Sequence, residues 1–368
     1  MGSSLSRDVV LHALRAVQDP DLHKDIVTLG FVQDLKINDG VVSFRVVLTT
    51  PACPVKEQLK AQCEEAVRAL PGVTAVTVTM DAQVRGARAG AKGQTTIPGV
   101  KHIIAVSSGK GGVGKSTVSA NLAVALKMLG AKVGLMDADV YGPNIPTMMG
   151  VNVPPQGRHD EERGDLLVPP TAHGVTVMSM GFLTKGDQPT VWRGPMLHSI
   201  MAQFVMKVDW GDLDYLVIDM PPGTGDVQIS LTQMVPLTGA VVVTTPQEVA
   251  LQDVRKAMLM FEKVGVPLLG VVENMSWFEA PDTGKRYDIF GTGGGKDLAE
   301  KFRVPFLAEM PLEASVRQAA DAGAPAVLAY KGTVGSERWL ALARAVAQQV
   351  SIQTAKTEAV SGIEIGAF

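Results

Sequence analysis

The spacing of apolar residues predicts a small α+β domain at the start of the chain. Residues 1–83 show, in order, a helical stretch near 5–17, strands around 31–38 and 41–49, a helix over 54–69 and a strand at 73–80. One face of the second helix carries apolar residues three and four positions apart: Val55, Leu59, Cys63 and Ala66. Asn38, Asp39 and Gly40 supply the residues that a tight hairpin turn favours between the first two strands.

A different pattern begins near residue 100, where short apolar runs alternate with helical segments. The runs lie at 102–108, 132–137, 215–220, 239–245, 268–273 and 304–308. Strands that are apolar on both faces and separated by helices are typical of a parallel sheet covered on two sides. Residues 100–350 are therefore predicted to form an α/β domain with a mostly parallel sheet between helices.

The remaining segments are predicted to be connections and ends. Residues 84–99 are rich in Gly, Ala and polar groups, which is typical of a flexible linker. Residues 150–170 are rich in Pro, Gly and charge, which predicts a mobile surface loop near the carboxyl edge of the sheet. An amphipathic helix is expected near 335–350, followed by a polar C-terminal tail at 351–368.

Composition narrows the class of protein and of partner. A chain of 368 residues is long enough for two domains, and 46% apolar with 19% charged residues is typical of a compact fold. A net charge of −3 gives no general reason to bind nucleic acid or an anionic membrane, so neither partner is expected. No apolar run approaches the roughly 18 residues of a membrane helix, and the first residues lack the apolar core of a signal peptide, so a cytoplasmic location is expected.

The strongest motif is a phosphate-binding loop. The segment HIIAVSSGKGGVGKST places GxxxxGK[ST] between a predicted strand and a predicted helix, as this loop requires. Glycines let successive backbone N–H groups converge on phosphate oxygens at a helix N-terminus. Lys115 is expected to neutralise the β and γ phosphates of ATP, Ser116 to bind Mg²⁺ and Thr117 to reach the α phosphate. The predicted nucleotide-binding residues of the loop are Gly109, Lys110, Gly111, Gly112, Val113, Gly114, Lys115, Ser116 and Thr117.

A second lysine refines this prediction. Lys110 follows the first glycine and would point away from its own site, which indicates a role at a neighbouring subunit. The sequence GKGGVGKST resembles the deviant Walker A motif of the family that contains the nitrogenase iron protein, the septum-site and partition ATPases, and the Mrp/ApbC iron–sulfur carriers. The resemblance implies a homodimer in which Lys110 reaches the partner's phosphates and acts in catalysis with Lys115.

Carboxylates follow two of the predicted strands. Asp137 and Asp139 come at the end of one strand, and Asp219 ends the run YLVID. The carboxyl edge of an open α/β sheet is where ligands bind, although a surface turn or a plain strand exit would also place acids there. The resemblance implies that Asp139 orients the attacking water, that Asp137 organises the metal and a switch segment, and that Asp219 holds Mg²⁺ as a Walker B acid. It also implies that Asn274 recognises adenine.

Other motifs identify the branch of this family. DADVYGPNIP, WRGPM at 192–196, DMPPGTGD, TTPQEVALQDV and NMSWF are similar to the Mrp/ApbC pattern over about residues 98–330. DPDLHKDIVTLGFV with TTPACP is similar to the MIP18-like domain of iron–sulfur assembly proteins. The resemblance implies an ATP-dependent carrier that assembles or transfers iron–sulfur clusters to apoproteins, with assembly factors as further partners.

One departure from the Mrp/ApbC pattern concerns the cluster ligands. The carriers have CxxC after the NMS motif, but Ala280 and Thr283 occupy those places here, and neither side chain can ligate iron. The chain has two cysteines, and Cys63 is expected in the core. Cys53 heads a predicted helix, where the dipole would favour thiolate, so Cys53 from two subunits or with a partner's ligands is a hypothetical cluster site. A small buried apolar role for Cys53 is the alternative.

Two other functions remain open from the sequence. A partition or positioning ATPase acting on membrane or DNA would need a basic amphipathic helix or a basic face. The C-terminal stretch has few positive charges. The missing CxxC leaves a second possibility, an assembly adaptor that supports cluster assembly without carrying a cluster.

Overall fold

A computed structural model describes residues 5–84, 86, 94–140, 142–183 and 194–363 of the chain. The described residues divide into two compact units, 5–84 with 354–363 and 86–353, so the last helix (Val334–Ile363) begins in the larger unit and its final residues are grouped with the smaller one. Half of the predicted linker, at 85 and 87–93, lies outside the described residues, as do Tyr141 of the DADVYGPNIP motif and the first two residues of WRGPM.

The N-terminal unit is an α+β domain, as the sequence predicts. Its elements are α1 (Arg7–Leu14), β1 (Gln18–Asp19), β2 (Lys24–Asp25), β3 (Val32–Asn38), β4 (Val41–Leu48), α2 (Lys56–Arg68) and β5 (Ala75–Ala82). Strands β3 and β4 pair antiparallel, and β5 pairs parallel to β4. Asp39 and Gly40 both have positive φ in the turn between β3 and β4, which confirms the predicted hairpin. Leu59 and Cys63 are buried in the core, where the helical spacing places them.

The larger unit alternates strands and helices. Its elements are β6 (Val100–Ser108), α3 (Lys115–Met128), β7 (Val133–Asp137), α4 (Ile145–Met148), β8 (Gln156–Asp160), β9 (Gly164–Val168), β10 (Thr171–Ala172), β11 (Val175–Ser179), a 3₁₀ turn (Met180–Leu183), α5 (Gly194–Met206), β12 (Leu213–Asp219), α6 (Asp226–Met234), β13 (Gly239–Thr244), α7 (Glu248–Lys263), β14 (Leu268–Asn274), β15 (Phe278–Glu279), β16 (Arg286–Tyr287), α8 (Gly294–Phe302), β17 (Phe306–Met310), α9 (Ala314–Asp321), α10 (Ala326–Ala329) and α11 (Val334–Ile363).

Within the described residues, eight of these strands form one sheet in the order β10-β11-β7-β12-β6-β13-β14-β17. All neighbours pair in parallel except β10, which pairs antiparallel with β11 at the edge. Every residue of β7, β13 and β14 is buried, because helices cover both faces. The six strands predicted from apolar runs are all present, with bounds shifted by up to two residues.

Two predictions about the connections need correction. Residues 150–170, predicted to be a loop, contain the antiparallel hairpin of β8 and β9. Strand β8 has no buried residue, so its pattern carries no apolar signal. The helix predicted near 335–350 runs on to Ile363 as α11, so the segment predicted as a tail is largely helical.

No helix among the described residues is both long and apolar enough to cross a membrane.

Candidate nucleotide-binding site

The loop between β6 and α3 has the backbone shape that its glycines allow. Strand β6 ends at Ser108 and helix α3 begins at Lys115. Gly112 and Gly114 have φ of +84° and +85°, in the left-handed region that favours glycine. A Cβ on Gly114 would also collide with the side-chain amide of Asn274. Substitution at Gly114 therefore distorts either the loop or Asn274.

A cavity of about 250 Å³ opens at this loop, at the carboxyl edge of the sheet. Predicted loop residues line it, including Lys110, Gly112, Gly114, Lys115, Ser116 and Thr117. Cavities that enclose a drug-sized ligand typically have about 300–1,000 Å³. The size therefore suits a phosphate chain, with the remainder of a nucleotide outside the cavity.

Lys115 lies at the centre of the buried charges in this site. Its Nζ is 2.9 Å from Oδ2 of Asp219 and 3.6 Å from Oδ2 of Asp139, and the side chains of all three residues are largely buried. Ion pairs in a low-dielectric surrounding are stronger than surface pairs, and removal of one partner leaves an uncompensated charge. The structure thus brings together three residues that the sequence assigned to one site.

Asp219 ends β12 and is held by helix α3. Ser116 Oγ donates to its Oδ2 at 2.6 Å, and Ser119 Oγ lies 2.6 Å from its Oδ1. Sequence reasoning identified Ser116 but missed Ser119. Residues four apart share one helical face, so the position of Ser119 one turn after Lys115 is a signal that could have found it.

Asp137 is fully buried, and its carboxylate accepts hydrogen bonds from neighbouring residues. Ser179 Oγ donates to its Oδ2 at 2.8 Å, and the backbone N–H groups of Asp139 and Ile145 also donate to its carboxylate. Burial, reinforced by the nearby carboxylate of Asp219, raises the pKa of Asp137 to about 8. Asp137 therefore orders the segment that leads into α4, and sequence reasoning missed its partner Ser179.

Asp139 is the carboxylate of this pair that faces the cavity. It lines the cavity wall together with Asn144 and Met148 of the following segment. Its Oδ1 accepts a hydrogen bond from the backbone N–H of Gly142 at 3.2 Å. The strand alternation is broken after Asp137, so the two acids have different surroundings and can have different roles.

Asn274 lies beneath the loop. It ends β14, is buried, and donates from Nδ2 to the backbone oxygen of Val113 at 2.9 Å. The next residue, Met275, lines the cavity. In this structure the Asn274 amide supports the loop, and adenine recognition by it stays a prediction.

Residues 220–225, here called the switch loop, connect β12 to α6. Pro222 lines the cavity. Gly223 has φ of +91° and donates its backbone N–H to Ser108 O at 2.9 Å. The switch loop is therefore attached directly to the end of β6, beside the phosphate-binding loop.

The donor set fits Mg²⁺ bound together with phosphates. Mg²⁺ prefers hard oxygen ligands and is usually held by one or two carboxylates plus substrate phosphates. Ser116 and Asp219 offer such oxygens at hydrogen-bond distance from one another. Among the residues that the structure describes, no group of three or more His, Cys, Asp or Glu side chains could hold a metal ion. A phosphate-bearing ligand would therefore supply the other oxygens.

The expectation that Cys53 is a thiolate is wrong. Helix α2 begins at Lys56 with Val55 as its N-cap, so Cys53 precedes the helix itself. Burial raises the pKa of the Cys53 thiol to about 11, and the carboxylates of Asp21 and Asp19 add to this shift. A backbone hydrogen bond from Val55 opposes the shift without cancelling it. Cys53 is therefore a neutral thiol at pH 7.

Ala280 and Thr283 lie on the small hairpin of β15 and β16. Ala280 is half-buried, and its N–H donates to Lys285 O at 3.0 Å. Thr283 is exposed in the turn. The hairpin thus presents a methyl group and a hydroxyl, which are not iron–sulfur ligands.

Comparisons with known proteins agree with this geometry. The sequence model of a family described as NUBPL iron-transfer P-loop NTPase matches residues 99–347, and one described as iron–sulfur cluster assembly protein matches residues 7–79. An iron–sulfur cluster carrier protein of Synechocystis sp. is 49% identical over 349 residues, covering 95% of this chain and 99% of the relative. One of Deinococcus radiodurans is 51% identical over 347 residues, covering 94% and 96%.

A solved structure is similar as well. A nucleotide-binding protein of Archaeoglobus fulgidus in complex with ADP is 39% identical, with a TM-score of 0.55, covering 62% of this chain and 89% of that chain. The match to the family model covers more than half of the chain, and the two carriers match over nearly all of it. The chain therefore belongs to the NUBPL iron-transfer P-loop NTPase family of iron–sulfur cluster carriers and assembly factors, with an iron–sulfur cluster assembly domain at its N-terminus.

Proposed function

We propose that this protein binds and hydrolyses ATP with Mg²⁺, acts as a homodimer, and assembles or transfers iron–sulfur clusters to apoproteins. The observation that carries the proposal is the convergence of Lys115, Ser116, Asp139 and Asp219 at one cavity beside a glycine loop. Cation, hydroxyl and carboxylate groups in this arrangement suit a triphosphate with its metal ion.

The division of roles follows from the contacts. Lys115 would exchange carboxylate oxygens for phosphate oxygens, and Ser116 with Asp219 would hold Mg²⁺, which supplies charge neutralisation at the phosphates when it is bound. Asp139 faces the cavity and would orient the attacking water. Asp137 accepts hydrogen bonds from two backbone N–H groups and from Ser179, which suits the ordering of the segment before α4, and its expected role at Mg²⁺ stays a prediction.

The homodimer rests on Lys110. This lysine is exposed at the mouth of the cavity, and its backbone oxygen accepts a hydrogen bond from Ser108 Oγ at 3.0 Å. The bond involves only the backbone of Lys110, and because the residue is exposed, its ammonium group would be accessible to a second subunit. Slow ATP hydrolysis is expected, because the bound nucleotide would set the geometry of the dimer. The rate would then be limited by conformational change.

The proposed cargo ligand in this chain is Cys53, in the absence of a CxxC motif. A neutral thiol must lose its proton before it binds iron, and the proximity of a metal ion lowers thiol pKa values. A cluster at Cys53 would therefore be labile and favoured by alkaline pH. Two subunits, or one subunit and a partner protein, would have to complete the ligand set.

Anaerobic reconstitution with iron and sulfide tests the cluster directly. Wild type and Cys63→Ala are expected to take up iron and sulfide and to show a cluster by absorbance and Mössbauer spectroscopy, and Cys53→Ala is expected to lose both. Cys63 is the matched control because it is a fully buried core residue of α2. Undiminished iron and sulfide in Cys53→Ala would remove Cys53 as the ligand.

A second candidate function is an adaptor that assists cluster assembly without binding a cluster. Ala280 and Thr283 in the hairpin, and the high pKa of Cys53, favour this candidate. Wild-type protein purified without oxygen decides between the two. A Mössbauer signal of a bound cluster supports the carrier, and its absence after reconstitution supports the adaptor.

A further inference from the structure

Gln228 is a buried polar residue that the proposed site does not use. It lies in the first turn of α6, directly after the switch loop, and is 1% exposed. Long polar side chains are rarely buried so completely unless their polar atoms have partners.

Two backbone hydrogen bonds attach the first part of the switch loop, residues 220–223, to β6. Met220 N–H donates to Val106 O at 3.0 Å, and Gly223 N–H donates to Ser108 O at 2.9 Å. Between them stand Pro221 and Pro222, which have no N–H to donate. Backbone donors therefore cannot attach Pro221 or Pro222 to β6.

The side chain of Gln228 makes the missing attachment. Its Nε2 donates to the backbone oxygen of Pro221 and lies 3.4 Å from Oγ of Ser107, the β6 residue between the two backbone attachments. The side-chain amide of Gln228 thus joins Pro221 of the switch loop to Ser107 of β6.

The side-chain oxygen of Gln228 argues against the view that this residue only fills space in the core. Among the residues that the structure describes, Oε1 of Gln228 has no hydrogen-bond partner. The reverse orientation would place this oxygen against Pro221 O, so the observed orientation follows from the need for a donor there. A buried acceptor without a partner costs free energy that an apolar side chain of the same size would not.

From this geometry we infer that Gln228 is a positioning residue for the switch loop. Pro222, next to the tethered residue, lines the cavity that also contains Lys115 and Thr117. The hydrogen bond from Gln228 to Pro221, here called the tether, therefore determines the position of Pro222 relative to phosphates bound in the cavity. The inference rests on the proposed ATPase function for its kinetic consequence, and the attachment itself is independent of that function.

The test compares Gln228→Met, Gln228→Leu and the control Thr232→Val. Met keeps the length without the donor, and Leu replaces the amide by a shorter apolar group that also cannot donate to Pro221 O. Thr232 is a buried residue of the same helix, and its hydroxyl donates to Ile229 O within that helix. Hydrogen exchange of the Gly223 amide is measured without nucleotide. The kcat and KM of ATP hydrolysis and, in a separate titration, the Kd for ADP are measured for each variant.

Both Gln228 variants are expected to exchange the Gly223 amide about fivefold faster or more and to lower kcat by a similar factor, as one lost hydrogen bond predicts. ADP affinity stays at the wild-type value, and Thr232→Val matches wild type throughout. Unchanged exchange at Gly223 in a folded Gln228→Met or Gln228→Leu overturns the tether. If wild type fails to hydrolyse ATP, the proposed function fails, while the exchange measurement still decides the tether.

Discussion

The ammonium nitrogen of Lys115 lies 2.9 Å from Oδ2 of Asp219, so the residue proposed to grip phosphates and the residue proposed to hold magnesium neutralise each other. Ser116 donates to the same carboxylate oxygen at 2.6 Å. A nucleotide with Mg²⁺ would replace both contacts, since phosphate oxygens suit Lys115 and the metal ion suits Asp219. Binding is therefore an exchange of partners within a buried cluster.

Lys115→Ala is expected to weaken ATP binding strongly. Hydrogen bonds to charged groups contribute about 1.5–3 kcal/mol, which corresponds to roughly ten- to hundredfold in affinity. Equilibrium titration with a fluorescent ATP analogue measures the effect. Lys127→Ala, in the last turn of the same helix, serves as the control and should bind as wild type does. Wild-type affinity in Lys115→Ala would contradict the proposed contact.

Ser119→Ala is expected to lower turnover while nucleotide affinity is kept. Ser119 Oγ lies 2.6 Å from Oδ1 of Asp219, and this contact does not require the metal-facing oxygen. Residues that orient a metal-binding carboxylate typically contribute about ten- to hundredfold to metal affinity or activity. The readouts are ATP turnover and its dependence on Mg²⁺ concentration.

A serine with a similar local contact provides the control for Ser119. Ser351 Oγ donates to the carbonyl oxygen of Ala347 at 3.1 Å, four residues earlier, and Ser119 Oγ lies at the same distance from Lys115 O. Ser351→Ala should leave both readouts at the wild-type values. Equal turnover in Ser119→Ala and wild type at limiting Mg²⁺ would show that Ser119 does not position Asp219.

The stability of the nucleotide-free protein is expected to fall as pH rises towards 8. The pKa of Asp137 is raised from 3.8 to about 8, so the folded protein holds a proton that the unfolded chain has released. Between these pH values each unit of increase costs at most about 1.4 kcal/mol from this group. Above about pH 8 this contribution no longer changes with pH.

Thermal or urea unfolding from pH 6 to 8.5 measures this effect. In Asp137→Asn the free energy of unfolding should fall less with pH than in wild type. Altered hydrogen bonds at residue 137 change this free energy by an amount that does not depend on pH, so the slope remains the readout. Asp282→Asn, at an exposed residue of the turn between β15 and β16, should keep the wild-type slope. The same slope in Asp137→Asn and wild type would exclude Asp137 as the titrating group.

Much of the large sheet was predictable because its strands are buried on both faces. The strands that end at Ser108, Asp137 and Asp219 appear in the sequence as continuous apolar runs. Once these strands are parallel neighbours, the residues after them meet at one edge. Asp219 pairs in register with Asp137 as a result.

The remaining features depend on contacts between distant residues or on burial. Ser179 meets Asp137 only because β11 lies beside β7, and β11 was not among the predicted strands. The prediction that Cys53 is a thiolate was based on its position at the start of a helix. Burial and the carboxylates of Asp19 and Asp21 outweigh it, and these depend on the folded domain.

A mixture of two inactive variants tests the shared site most directly. Each proposed site combines Lys115 of one subunit with Lys110 of the other, so Lys110→Ala and Lys115→Ala homodimers should each lack ATPase activity. In an equal mixture, half of the dimers contain both variants, and each of these has one intact site. The mixture is expected to regain about a quarter of wild-type turnover for a freely exchanging homodimer. No regain of turnover, in subunits shown to exchange, would contradict a site built from the lysines of two facing chains.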